Sequence, residues 1–231
     1  LDKDVQDFKE APAGLKEYIT KLMLLFTQQD VDVGNFYTKY ICNAFPKPEI
    51  KMLASGIASR ESIHQNCYAL FVETIGLGDE TFTEFLHIPE LAAKHNLYEI
   101  YEDKIKHLNQ PKYIKDYLNI AVYSGFGEGV SLFTSFGMLL SLSMPEINKF
   151  SGLETIVNYS IKDEQVHFTS MLKLIKEELF NNFTAYEKDF VKEFILEFVD
   201  KLYNVEKDFI LYTFKDTGIT HITAQDMLDY L

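Results

Sequence analysis

The sequence predicts an all-α fold, a bundle of long helices around a buried polar cluster, and three observations carry that reading. Apolar residues recur at helical spacing through nearly the whole chain. Breakers are sparse: there are 11 glycines, and after Pro12 only Pro46, Pro48, Pro89, Pro111 and Pro145 interrupt the chain, too few turn residues for a many-stranded sandwich or barrel. Each of four long apolar stripes also carries an acid where an apolar residue belongs. A chain of 231 residues can bury a sizeable core, and with no repeat, low-complexity tract or linker it reads as one domain over 1–231.

The elements follow from the punctuation. A first helix runs from about Gly14 to Asn43 and is stopped by Pro46-Lys47-Pro48. The second spans Pro48 to Ile75 and ends at Gly76-Leu77-Gly78. Shorter helices are expected at Glu80–Leu86 and Pro89–His107. Long ones follow at Pro111–Ser143, Pro145–Phe180 and Tyr186–Phe214, and Lys215-Asp216-Thr217-Gly218 precedes a last short helix. Helices of roughly 30 residues are about 45 Å long, which suits a bundle.

Composition narrows the function. The chain is 47% hydrophobic and 25% charged, as ordinary globular proteins are, and its net charge is −13. Such an acidic chain lacks the basic footprint that nucleic acid or an anionic membrane requires. No run of about 18 uncharged apolar residues suggests a membrane span. Cys42 and Cys67 are too few for a disulfide scaffold or a four-thiolate zinc site, and two buried free thiols point to a reducing cytoplasm. Leu1-Asp2-Lys3-Asp4-Val5 is no secretory signal, and without an initiator Met the chain is expected to be a segment with extensions outside it at both ends.

The inward acids carry the chemistry. On the first helix, Ile19, Leu22, Phe26, Val33, Tyr37, Tyr40 and Ile41 share a face with Asp30, whereas Asp32 falls off it and is expected to be solvated. Glu61 and His64 lie with Ile57, Tyr68 and Phe71 on the second. Glu128 sits among Ile114, Tyr117, Ala121, Leu132, Ser135 and Leu139 on the third. Glu164 and His167 sit among Leu153, Val157, Phe168, Met171 and Ile175 on the fourth. Burying one unpaired carboxylate costs several kcal/mol, and four together also repel. No Lys or Arg in these stripes pairs them. Two divalent cations balance four carboxylates, and neutral imidazoles complete the coordination without adding charge. Oxygen and imidazole donors suit iron or manganese.

Spacing sharpens the argument. Glu61-Ser62-Ile63-His64 and Glu164-Gln165-Val166-His167 are both Glu-x-x-His, an i, i+3 pair that presents two donors on one helix face. Two such pairs with single acids on two further helices is the donor pattern of di-iron and di-manganese carboxylate bundles. Tyr68 follows His64 by four residues, so its phenol lies one turn along the same face, and Leu132 and Phe136 project at its level. Gly125, Gly127 and Gly129 around Glu128 do not form a nucleotide-binding loop, since no strand precedes them. They predict a close helix approach or a π-type distortion over 124–130.

In this order (Asp30 in Phe26-Thr27-Gln28-Gln29-Asp30, Glu61-x-x-His64, Tyr68, Glu128, then Asp163-Glu164-Gln165-Val166-His167) the chain resembles the small, radical-generating subunit of class I ribonucleotide reductase. The resemblance implies a ferritin-like helical bundle with two iron ions (di-iron-oxo) or two manganese ions per chain. Asp30, Glu61, His64, Glu128, Glu164 and His167 become the ligands and Tyr68 the site of a tyrosyl radical. Asp163 becomes the group that holds a ligand imidazole, His64, and passes the oxidising equivalent outward. Leu132, Phe136 and Ser160 line the radical pocket, although the family commonly has phenylalanine and isoleucine where Leu132 and Ser160 stand. The implied partners are a second copy of the chain, the large subunit that reduces ribonucleotides to deoxyribonucleotides for DNA synthesis, and an activating flavoprotein. The family's transfer tryptophan has no counterpart here, because the chain has no Trp, and Tyr230 is not assigned its C-terminal transfer role. A stand-alone di-metal oxidase or monooxygenase and a ferritin-like metal store are the alternatives on the same scaffold. His87, His95, His107 and His221 have no carboxylate at ligand spacing and read as surface or loop residues.

Overall fold

The computed structural model describes residues 1–78, 83–98 and 102–231, and among them it holds helices and no strand. Nine α-helices of seven or more residues follow one another among these residues: α1 (Asp2–Glu10), α2 (Ala13–Asn35), α3 (Pro48–Ile75), α4 (Pro89–Asn96), α5 (Pro111–Ile120), α6 (Leu132–Leu140), α7 (Ser151–Leu174), α8 (Ala185–Phe214) and α9 (Ala224–Tyr230). Pro48 at the first turn of α3 starts it where a missing N–H costs nothing, and Gly76, at φ 83°, ends it in a left-handed turn. Thr184 and Glu187 form a reciprocal capping box at the start of α8. No helix among the described residues is long and apolar enough to cross a membrane.

Three expected boundaries move. The helix expected from Pro145 begins only at Ser151, after a turn in which Asn148 (φ 48°) and Phe150 (φ 61°) are left-handed. The reason lies far upstream in α1, for which the pattern gave no expectation. Asp4 accepts hydrogen bonds from the Gly152 and Leu153 amides, both at 3.1 Å, and Asp7 accepts from the Phe150 amide at 2.9 Å. These carboxylates satisfy the open N–H groups of α7 and complement its dipole. Asp4→Ala should therefore cost about 1–2 kcal/mol of stability, the range for losing an N-cap side chain, read as a lower urea midpoint. The helix expected at Pro89–His107 stops at Asn96, and Glu102–Ile105 forms a separate 3₁₀ turn. The one expected at Glu80–Leu86 lies partly on 79–82, outside the described residues, and the chain then forms a 3₁₀ turn at Glu84–His87.

The long helices also change pitch. α2 continues through a π-helical segment, Phe36–Ile41, and a final α turn, Cys42–Ala44. α5 passes into α6 through eleven π-helical residues, Ala121–Ser131. α7 ends in a π segment, Ile175–Leu179. Around the bundle axis α2 packs on α3, α3 on α7, and α7 on the π segment between α5 and α6; α8 lies outside, against α4 and α9.

Two apolar clusters fill the interior. One gathers Phe26, Tyr68, Phe71, Leu132, Phe136 and Val157. The other gathers Val33, Tyr37, Ile57, Val122, Leu174 and Phe194. Along each long helix the inward acid stands where one cluster gives way to the other: Asp30 between Phe26 and Val33, Glu61 between Ala58 and Tyr68, Glu128 between Val122 and Leu132, Glu164 between Val157 and Met171. A polar layer thus crosses an otherwise apolar core.

Candidate metal centre

That layer contains all six side chains singled out by the sequence, and each is at most 4% exposed. Donor atoms of Glu61, Glu128, Glu164 and His167 lie within 4.8 Å of one another, and so do those of Asp30, Glu61 and His64. Glu61 is common to both groups. His167 Nδ1 stands 2.9 Å from Glu61, 3.0 Å from Glu164 and 3.5 Å from Glu128. His64 Nδ1 stands 3.2 Å from Glu164 and 3.5 Å from Glu61. Yet Asp30 Oδ2, both Glu61 oxygens, Glu128 Oε1, Glu164 Oε1 and His64 Nδ1 have no well-directed hydrogen bond. Buried polar atoms are rarely left so. Six of them, spread over two adjoining groups that share Glu61, is the arrangement that cations complete.

The electrostatics express the crowding. Burial, reinforced by Glu61 and Glu164, pushes Asp30 well above the usual carboxylate range. Burial likewise pushes Glu128 up to about 8, with His167 opposing it. It would raise Glu61 too, but contacts with His167 and His64 bring that group below its ordinary value. For the imidazoles burial works against charge, and the carboxylates outweigh it: Glu164 and Glu61 raise His64 to about 11, and Glu128, Glu164 and Glu61 raise His167 to about 12. Negative charge is in excess here, and positive charge is what the layer demands. The donor set, carboxylate oxygen with imidazole nitrogen and no thiolate, fits a dinuclear site for hard or borderline divalent ions and does not choose between iron and manganese.

His64 turns Nε2 to Asp163 at 3.2 Å and leaves Nδ1 facing the cluster. Tyr68 is 1% exposed, and its hydroxyl donates to Ser160 Oγ at 3.2 Å. Leu132 and Phe136 are buried in the same apolar cluster. The Phe26 ring, absent from the expected pocket, lies 4.8 Å from Tyr68 and 5.5 Å from Phe136, so it closes the remaining side. Burial, and then the nearby Asp30, push the Tyr68 phenol well above its ordinary value.

Both expectations for the glycine-flanked stretch hold. Residues 121–131 are π-helical, and a Cβ on Gly129 would come within 2.8 Å of the Phe168 ring on α7. The small residue lets the segment that carries Glu128 approach the helix that carries Glu164 and His167.

Several features were not foreseen. Tyr37, taken only as part of an apolar stripe, is fully buried and donates to Glu128 Oε2 at 2.7 Å. Its register was a legible signal, since it follows Asp30 by seven residues and shares that helix face. A further buried acid, Glu206, is satisfied: Lys94 Nζ reaches it at 2.9 Å and Ser131 Oγ at 2.5 Å. Asp32 is not simply solvated, and His95 is not without a carboxylate, for the two meet at 2.9 Å. His221 meets Ser141 Oγ at 3.0 Å. Cys42 and Cys67 are free thiols but only half-buried.

A helical bundle whose core holds a carboxylate and imidazole cluster of this kind is ferritin-like. Within that class the comparisons are specific. The family model described as ribonucleotide reductase, small chain, matches residues 1–231. The chain is 32% identical over 228 residues to the probable ribonucleoside-diphosphate reductase small subunit 376L of Invertebrate iridescent virus 6, covering 93% of this chain and 62% of that protein. It is 28% identical over 244 residues to the corresponding probable subunit 048L of Invertebrate iridescent virus 3, covering 100% and 64%. It is also 24% identical over 237 residues to the ribonucleoside-diphosphate reductase subunit beta of Halalkalibacterium halodurans, covering 100% and 66%. The chain belongs to the ribonucleotide reductase small chain family. It spans less than two thirds of the length of the two viral relatives.

Proposed function

We propose that this chain is the radical-generating part of a class I ribonucleotide reductase small subunit, with the radical on Tyr68. The observation that carries the reading is the convergence of six buried donor residues, with unpartnered atoms facing one another, one helical turn from a phenol sealed in an apolar pocket. Asp30, Glu61 and His64 would hold one ion and Glu61, Glu128, Glu164 and His167 the other, the two groups sharing Glu61. Two iron or two manganese ions bound there supply the oxygen chemistry that removes an electron from a phenol.

The chain's own residues do the rest. Asp163 accepts from His64 Nε2, fixing the tautomer that leaves Nδ1 free as a donor, the outer support that metal-binding histidines use. Half-exposed itself, Asp163 lies between the cluster and the surface, which suits the outward path of the oxidising equivalent. The Tyr68 hydroxyl donates to Ser160 Oγ, a contact that orients the phenol. Phe26, Leu132 and Phe136 keep water from the ring.

Family membership favours this reading over a stand-alone oxidase or a metal store. The same reading pairs the chain with a second copy of itself, with the large subunit that binds and reduces the ribonucleotide in the cytoplasm, and with an activating flavoprotein. Exposed Ile63 and Leu70 on α3 and Tyr159 and Val166 on α7 are apolar surface such contacts would cover. The direct test combines the metal-loaded, full-length protein with its cognate large subunit and measures deoxyribonucleotide formed. Product is expected only from the mixture. Turnover by either component alone, or none from a mixture that contains the radical, would contradict the proposal.

A further inference from the structure

Glu128 uses its two oxygens differently. Oε1 has no hydrogen-bond partner and faces Glu61, Glu164 and His167. Oε2 accepts from the Tyr37 hydroxyl at 2.7 Å. Glu61, by contrast, has both oxygens unpartnered. The Tyr37 hydroxyl also lies 2.7 Å from Ser124 Oγ. A phenol has one proton, and a carboxylate can only accept, so that proton goes to Glu128 and the Ser124 hydroxyl donates to the phenol oxygen. The result is a directed chain, Ser124 to Tyr37 to Glu128, in which every member is buried.

The backbone is shaped to make it. Tyr37 sits in the π segment Phe36–Ile41, and Ser124 and Glu128 sit four residues apart in the π segment Ala121–Ser131. Two stretches of widened helix thus meet at this phenol, beside the stacked rings of Phe36 and Tyr123 at 4.6 Å. The ring itself is held in place: it packs edge-on against His167 at 6.1 Å and against Phe36 at 5.4 Å.

We propose that Tyr37 is a positioning residue that restricts Glu128 to one metal-facing oxygen, with Ser124 orienting the phenol. The proposal rests on the reading of the six residues as a two-metal site and adds to it a division of labour between carboxylates. Glu61, with both oxygens unpartnered, could offer one to each ion, whereas Glu128 would offer only one oxygen. Removing the Tyr37 hydroxyl releases Oε2, so that Glu128 can rotate and chelate or bridge.

The test is Mn(II) binding to metal-free wild-type, Tyr37→Phe and Ser124→Ala proteins, followed by electron paramagnetic resonance of the free ion, with crystal structures of the loaded forms. Wild type should bind two ions per chain, with Glu128 contributing one oxygen. Tyr37→Phe should weaken one of the two sites by about 10- to 100-fold, the usual scale for lost outer contacts, and should show Glu128 contributing both oxygens. Ser124→Ala should shift the same site in the same direction by less, with the ring and fold intact. Unchanged affinity in both variants, with Glu128 still bound through one oxygen, overturns the role of Tyr37 while leaving the metal site standing. A wild-type protein that takes up no pair of ions overturns both.

Discussion

Tyr68→Phe is expected to abolish the organic radical signal of metal-loaded, oxygen-exposed protein while leaving the protein folded and its metal content unchanged. The phenol is sealed among Phe26, Leu132 and Phe136, and its hydroxyl donates to Ser160. Replacement by phenylalanine keeps the ring packing and removes one buried hydrogen bond, at about 1 kcal/mol. The stability change is therefore small, whereas the change in the paramagnetic signal is all or none. The comparison is informative because a second phenol, Tyr37, also touches the cluster. A signal that survives in Tyr68→Phe would place the radical on another side chain and remove Tyr68 from the account.

The second large effect concerns stability. Lys94 is 1% exposed and Glu206 0% exposed, and their ion pair at 2.9 Å is supported by Ser131 and Ser135 and by the Phe209 ring, 4.3 Å from the ammonium. Burial pushes the Lys94 ammonium below its ordinary value, with Glu206 holding it up. Lys94→Met leaves a buried carboxylate with, among the described residues, the Ser131 hydroxyl as its hydrogen-bond partner, and breaking such a pair costs about 3–5 kcal/mol. In a domain of this size that is a fall in Tm on the order of 10 °C. Replacing both partners by apolar residues, Lys94→Met with Glu206→Leu, should recover most of the loss, because no unpaired charge remains. A single variant as stable as wild type would show that water or backbone rearrangement compensates for the missing ammonium.

The residues of the buried cluster were legible because each rests on local spacing, whereas the pairing of Asp163 with His64, across two helices, was expected only from the family resemblance. Asp30, Glu61, Glu128 and Glu164 stand out as acids within apolar stripes, and Glu-x-x-His occurs twice. Helices such as α3, bounded by Pro48 and Gly76, were legible for the same reason: their start and stop signals are short-range. What escaped depends on contacts between distant segments. α7 starts at Ser151 because Asp4 and Asp7 of α1 cap it, and nothing near Pro145 records that. Lys94 and Glu206 look like two surface charges until α4 and α8 pack together. Tyr37 lay on the right face, but its bond to Glu128 depends on the two π segments meeting, which its register alone does not record. Pitch changes leave only a faint trace in sequence, and the glycines around Glu128 were the one case where that trace could be read.

Anomalous diffraction at the iron and manganese edges, on crystals of protein from native expression, bears most directly on the central claim. Two peaks per chain are predicted, about 4 Å apart or less as in other two-metal sites, enclosed by Asp30, Glu61, His64, Glu128, Glu164 and His167. A single peak, no peak, or peaks held by other residues in a fully loaded protein would contradict it.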